Sequence, residues 1–292
     1  MKIGIGLPNP IPGTPGRLLV EWAELAEKRG FSSLATIDRI VYPTYESLIT
    51  LAAAAAVTSK IGLLTNILVA PTRNEVLLAK EAASVDQISM GRLTLGLAPG
   101  GREDDLSAVG ASFSGRGKKF DKQLQTLKRA WEGQAVAGSG QSVTPLVRDG
   151  GVPLLIGGMN KKAVARVVEY GAGWTASGGV PLEHIVSFAK QVKAAFSDAG
   201  RGDNCRIVAL GYFSMAETAE QPSREYLADY YAFTGMGPQV AEGIPRGAAA
   251  VREAVKPLAD SGVIDEYILD PTVANLDELS LLADALGLDG AP

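Results

Sequence analysis

One cysteine and one histidine in 292 residues exclude a good deal of chemistry at the outset. Cys205 alone rules out an internal disulfide framework and a cysteine-rich metal cage. His184 alone rules out a histidine metal triad and any nucleophile arrangement drawing on several histidines, so no metal site is expected. The net charge is −4 with no basic run, and the electrostatic footprint of a nucleic-acid-binding surface is missing. No apolar stretch reaches the roughly 20 residues that span a bilayer. Residues 2–7 read as a strand rather than a signal peptide, so a cytoplasmic protein without nucleic-acid or membrane partners is expected.

What is present is enough apolar material for a large core: 46% of the residues are hydrophobic. An α/β barrel commonly uses about 250 residues as one domain, and a single domain over residues 1–292 is the expectation. The organising stretch is Arg92-Leu-Thr-Leu-Gly-Leu-Ala-Pro-Gly-Gly-Arg102. Leu93, Leu95 and Leu97 recur at period two, which gives a strand one apolar side, while Gly96, Gly100 and Gly101 leave its end open to close backbone approach.

The same plan recurs along the chain. Strand-like runs occupy residues 2–7, 33–37, 60–67, 152–156, 173–176, 205–211 and 266–269, and most are followed by an amphipathic helix. Leu18, Trp22, Leu25 and Ala26 form one stripe, as do Phe120, Leu124, Leu127 and Trp131, and Ile185, Phe188, Val192 and Phe196. Thr14 is expected to cap the first helix, Asn160 a later one, and Asn275 with Glu278 to form a capping box. Helices after residues 45, 75 and 247 complete the alternation. The pattern predicts a closed (β/α)8 TIM barrel with short insertions after strands 4 and 7. An open doubly wound sheet is the rival, but Pro8-Asn9-Pro10 stands where its glycine-rich turn belongs. Residues 133–151, centred on Gly138-Ser139-Gly140, are an irregular excursion, and residues 222–245 are an insertion that acts as a substrate lid or docks as a surface helix; whether either segment closes as a lid the sequence leaves open.

In such a barrel the C-terminal strand ends form the reaction site. They present Asp38 and Arg39, Thr65 and Asn66, Gly100, Gly101 and Arg102, Gly157, Gly158, Met159 and Asn160, and Ser177, Gly178 and Gly179. The turn at 157–160 suits an anion at a helix start, or is simply turn geometry. Arg102 either meets a phosphate or carboxylate or pairs with Glu103 in solvent. Asp38 and Asn66 either bond a flat heteroaromatic ligand or satisfy loop backbone. His184 either packs structurally or touches ligand. Donors are many and acid–base groups few, which suggests that a cofactor carries the difficult chemistry.

Several blocks, in this order, resemble the bacterial-luciferase-like family of flavin- or deazaflavin-dependent oxidoreductases and monooxygenases. They are residues 26–34, 79–86 and 91–103, then Arg116-Gly117, residues 153–158 and Tyr170-Gly-Ala-Gly-Trp174. The resemblance implies a barrel that is commonly dimeric and binds reduced FMN for monooxygenation or coenzyme F420 for hydride transfer. It implies that Asp38 approaches the ring, that Thr65-Asn66 belong to a third-strand bulge behind it, often with a non-prolyl cis peptide, and that residues 100–102 lie near the cofactor tail. It places Gly158, Met159 and Asn160 in a phosphate-binding turn and Ser177, Gly178 and Gly179 at the next rim. Many relatives carry Ser at Met159 and His at Arg39. An arginine cannot cycle as acid or base, so Arg39 is expected to orient an anionic substrate or stabilise developing charge. The compact chain, its composition and its block pattern favour F420-dependent hydride transfer on a small organic substrate. The alternatives are a reduced-FMN monooxygenase using O2, in specialised metabolism, and a non-catalytic binding or sensing scaffold. A separate flavin or F420 reductase and a homodimer complete the expected partners.

Overall fold

The computed structural model describes residues 1–136, 138, 140–145, 147, 148 and 150–290. Its strands are β1 Lys2–Gly6, β2 Ser33–Thr36, β3 Gly62–Val69, β4 Leu93–Ala98, β5 Leu154–Gly157, β6 Gly173–Thr175, β7 Arg206–Phe213 and β8 Glu266–Pro271. They pair in parallel, in sequence order, and β8 closes on β1. The (β/α)8 barrel is therefore the fold.

Alternation along the strands sorts the side chains into an inside and an outside. Ala35, Leu64, Leu155, Val208 and Ile268, all fully buried, form a cluster of their own that fills the middle of the barrel. Leu93, Leu95 and Leu97 point the other way and join the large core between sheet and helices, with Leu78, Ala82 and Phe120. Below the middle layer the buried Glu266 carboxylate accepts from Ser33 Oγ at 2.6 Å and Arg206 Nη2 at 2.5 Å, which closes the N-terminal end with polar groups.

The helices are α1 Gly16–Lys28, α2 Ser47–Val57, α3 Glu75–Ile88, α4 Glu103–Ala108, α5 Arg116–Trp131, α6 Lys161–Tyr170, α7 Leu182–Asp198, α8 Glu220–Tyr230, α9 Gly237–Glu242, α10 Gly247–Asp260 and α11 Leu276–Leu286. None among the described residues is long and apolar enough to cross a membrane. The insertion after β4 is α4, and the one after β7 carries α8 and α9. Ser214 and Arg246 pin the ends of the second insertion by a parallel bridge.

Two expected caps differ. Thr14 Oγ1 donates to the carbonyls of Pro8 and Ile11 instead of capping α1, because the Pro-rich loop after β1 needs its own closure. Asn275 caps α11, but Glu278 reaches across to the amides of Met215 and Ala216 at 2.6 and 2.8 Å, so the reciprocal half of the box is replaced by a tertiary contact. Asn160 caps α6 as expected, accepting from Ala163 N.

The described part of 133–151 runs at the end of the barrel opposite the site, where Arg148 donates to the Leu93 carbonyl and Val147 enters the core. It does not reach the C-terminal rim. Ser139, named above at its centre, lies outside the described residues. Cys205 is buried, and burial pushes its thiol up to about 11, so it packs as an inert small residue.

Candidate active site

A cavity of about 530 Å3 opens at the C-terminal strand ends. Its wall includes Asp38, Arg39, Asn66, Gly100, Gly101, Arg102, Gly157, Gly158, Asn160, Ser177 and Gly178, which the sequence scatters over some 140 positions and the barrel brings together. Thr65, Met159 and Gly179 lie outside this wall. Thr65 Oγ1 donates to the Gly96 carbonyl at 2.8 Å, Met159 stands half-exposed, and Gly179 lines a neighbouring cavity.

Asn66 sits where β3 departs from regular pairing: the register with β4 shifts between Thr65 and Leu68, and the Asn66–Ile67 peptide is cis. A Cβ at Gly96 would stand 2.0 Å from the Thr65 carbonyl oxygen, so the bulge and this glycine require each other. Asn66 Oδ1 accepts from Thr175 Oγ1 at 2.6 Å, which fixes the amide's orientation. Its Nδ2 is buried without a partner among the described residues.

Asp38 is held from several directions. Arg73 clamps it with two bonds of 2.8 Å, and Val69 N donates to Oδ2 at 2.9 Å. Burial pulls the Arg73 guanidinium down, but Asp38 and Glu46 outweigh it and leave it above its ordinary value. Arg39 is equally engaged. Its Nε donates to Asp105 Oδ2 at 2.8 Å and its Nη2 to Asp104 at 3.2 Å and the Val41 carbonyl at 3.1 Å. Asp105 in turn accepts from Ile40 N and Val41 N, so this pair ties α4 to the loop after β2.

Two other guanidiniums have no carboxylate partner among the described residues. Arg102 Nη2 donates to the Tyr230 carbonyl at 2.7 Å, and its plane lies 3.4 Å from the Phe233 ring centroid. Burial, then Arg39, lowers its pKa. Glu103 is not its partner. Arg116 donates to the carbonyls of Gly100 and Phe113 and stacks on Phe113. With Asp38 matched by Arg73 and Asp105 by Arg39, the cavity keeps a net positive side at the β4 loop.

The wall adjoining Arg102 is aromatic. Tyr230, Tyr231 and Phe233 descend from the insertion after β7 and meet Tyr212, whose hydroxyl is 2.8 Å from that of Tyr231. Tyr226 and Tyr230 pack on Ile11, Ile37 and Leu210, so the insertion roofs part of the barrel mouth. His184 stands on the exposed first turn of α7, its Nε2 4.0 Å from Glu183, and does not line the cavity.

Sequence reasoning missed Arg73, Tyr212, Thr175 and the site role of Arg116. Arg73 follows β3 in a loop whose spacing carries no signal. The density of tyrosines at 226–233 was visible, but not which wall they build.

Comparison with known proteins places these features in context. The fold matches monooxygenase RslO1 from Streptomyces bottropensis with a TM-score of 0.81, 21% identity and 100% of both chains covered. It matches an F420-dependent secondary alcohol dehydrogenase with a TM-score of 0.73 and 16% identity, over 99% of this chain and 98% of that one. In sequence, 5,10-methylenetetrahydromethanopterin reductase of Methanolobus tindarius is 28% identical over 224 residues, 72% of this chain and 65% of that protein. The chain matches the family described as luciferase-like monooxygenase over residues 1–262, and it belongs to that family.

Proposed function

We propose that the chain is an oxidoreductase whose rim cavity holds the deazaflavin coenzyme F420, which in its reduced form would give a hydride to a small organic substrate and in its oxidised form would take one from it. The observation that carries this reading is that Asn66, whose buried Nδ2 has no partner among the described residues, lines the same cavity as Arg102 and Arg116. A buried donor without an acceptor is costly, and a heteroaromatic ring edge supplies the acceptor. Two guanidiniums without a carboxylate partner among the described residues fit the anionic tail of such a cofactor. The residues present therefore fit the group: Asn66 at the ring, the 157–160 turn and the two arginines toward the tail.

When bound, the ring would be the donor or the acceptor of the hydride. The protein positions and shields it. Asp38 is clamped by Arg73, and Arg39 holds α4 in place rather than reaching for substrate. Both are read here as positioning residues. The tyrosine roof covers part of the cavity mouth and so reduces the access of water to what the cavity holds.

A second reading, a reduced-FMN monooxygenase using O2, is favoured by the full-length likeness to RslO1. Turnover with F420 under anaerobic conditions supports the first reading, whereas oxygen consumption that depends on reduced FMN and substrate supports the second. No turnover in either assay, with cofactor bound, returns the chain to the scaffold alternative.

The molecule is further proposed to be a homodimer. Ile49 on α2 and Leu77 and Ile88 on α3 are exposed, at 72, 56 and 55%, on neighbouring helices. An apolar face of this kind is what a subunit interface covers.

A further inference from the structure

At the N-terminal end of the barrel, opposite the candidate site, the starts of β1, β2, β3, β4, β7 and β8 surround a cavity of about 540 Å3 that the proposed reaction does not use. Lys2, Lys60, Arg92 and Arg206 stand in its wall with two carboxylates, Asp265 and Glu266. In a chain whose net charge is −4, this is a local concentration of positive charge. The sequence hides it, because the four cations come from strand starts far apart in the chain.

Both carboxylates are already engaged. Glu266 accepts from Ser32, Ser33 and Arg206 Nη2, while Asp265 pairs with Lys193 of α7 at 3.3 Å and accepts from Ile207 N. Lys2, Lys60 and Arg92 therefore have no carboxylate partner among the described residues. Arg92 commits its guanidinium to the carbonyls of Ala55, Thr58, Ile61 and Ser89 and to the Thr58 hydroxyl, so it contributes a fixed charge and no spare donor. Burial lowers its pKa and Glu27 only partly offsets this, yet an arginine stays charged at neutral pH. Donors remain elsewhere in the wall. Arg206 Nη1 donates to Thr94 Oγ1 at 3.0 Å, which leaves the proton of that hydroxyl, on a residue only 8% exposed, for a further acceptor. A single carboxylate would offset one of the three cations left without a partner. A phosphate group carries nearly two charges and presents acceptor oxygens in several directions at once.

We propose that this cavity binds a phosphate-bearing anion, free or esterified, held by Lys2, Lys60, Arg206 and Thr94 beside the fixed charge of Arg92. The site lies across the barrel from the rim and does not depend on what the rim holds.

Inorganic pyrophosphate and ribose 5-phosphate are titrated calorimetrically, in phosphate-free buffer of low ionic strength, into the wild-type chain and into Arg102→Ala/Arg116→Ala, which removes the unmatched cations of the rim. One binding site is expected to persist in that variant. Adding Lys2→Gln and Lys60→Gln, both exposed, is expected to weaken it by at least about tenfold. Thr94→Val, which leaves the charge unchanged, is expected to weaken it about fivefold, a loss that a diffuse positive field would not show. In the wild-type chain the lysine pair is expected to remove one of two sites and to leave F420 and reduced FMN affinity within about twofold, so the outcome does not hang on the rim variant. Tighter pyrophosphate assigns the site to a free anion, and tighter ribose 5-phosphate to an ester. No site in the rim variant, affinity unchanged by the lysine pair, or affinity unchanged by Thr94→Val would each overturn the proposal.

Discussion

Asp270 is the residue at which burial and charge conflict most. Two positions beyond Ile268 on β8, it shares the inward face of the barrel, and both carboxyl oxygens are buried without a partner among the described residues. Burial raises its pKa well above the ordinary carboxylate value, so the folded protein holds it as a neutral acid. Below the unfolded value of about 3.9 both states are protonated and the group costs nothing extra. As pH rises further the unfolded chain ionises and the native one does not, so stability falls by up to about 1.4 kcal/mol per pH unit until the folded pKa is reached. Asp270→Asn removes that dependence. Urea unfolding at pH 4, 5 and 6 is expected to show a stabilisation of the variant that grows with pH, and a pH-independent difference would contradict it. Asp38 presents the opposite case, a buried carboxylate with a full set of partners. Arg73→Ala removes its counterion and is expected to destabilise the fold by about 3 kcal/mol in thermal or urea unfolding, with Arg73→Lys recovering only part because one ammonium cannot reproduce the two-pronged clamp. A loss under about 1 kcal/mol would show that the clamp is dispensable.

The insertion after β7 is the element that turns a generic barrel mouth into this site. Its N-terminal end is held by Glu278 of α11, whose carboxylate takes the amides of Met215 and Ala216, and its C-terminal end by the Ser214–Arg246 bridge. Removing the first anchor with Glu278→Ala frees two amides and is expected to cost about 2 kcal/mol and to speed limited proteolysis within 215–246. Unchanged cleavage kinetics there would show that the tyrosine packing alone holds the roof. This contact also shows where reading from sequence stops. The separation of Asn275 and Glu278 marks a helix start, which it is, but a local pattern cannot reveal that a loop from β7 competes for the glutamate. The strands were legible because alternation and glycine-ended rims are local: Leu93, Leu95 and Leu97 announce their outward face, and the helix expected after residue 247 spans Gly247–Asp260. Arg73 and Tyr212 were not legible as site residues because their roles depend on which strand ends become neighbours. Arg39 was legible as a rim residue, while its engagement by Asp105, more than sixty positions on, was not.

At the scale of the whole molecule, closing eight strands gathers separated loop tips into one cavity and leaves one apolar face on the outside. If that face joins two copies, Leu77→Glu with Ile49→Glu is expected to convert a dimer to a monomer in sedimentation equilibrium, with unchanged circular dichroism. A wild-type monomer at micromolar concentration would remove the interface from the account. The central claim is that the rim cavity binds a reduced tricyclic ring through Asn66 and its anionic tail through Arg102 and Arg116. The most direct measurement is equilibrium titration, under anaerobic conditions, of F420 and of reduced FMN into the wild-type chain and into Asn66→Ala and Arg102→Ala/Arg116→Ala. One cofactor is expected to bind the wild type at a single site, about tenfold more weakly to the first variant and about a hundredfold more weakly to the second. Binding of neither cofactor, or equal binding to all three proteins, would contradict it.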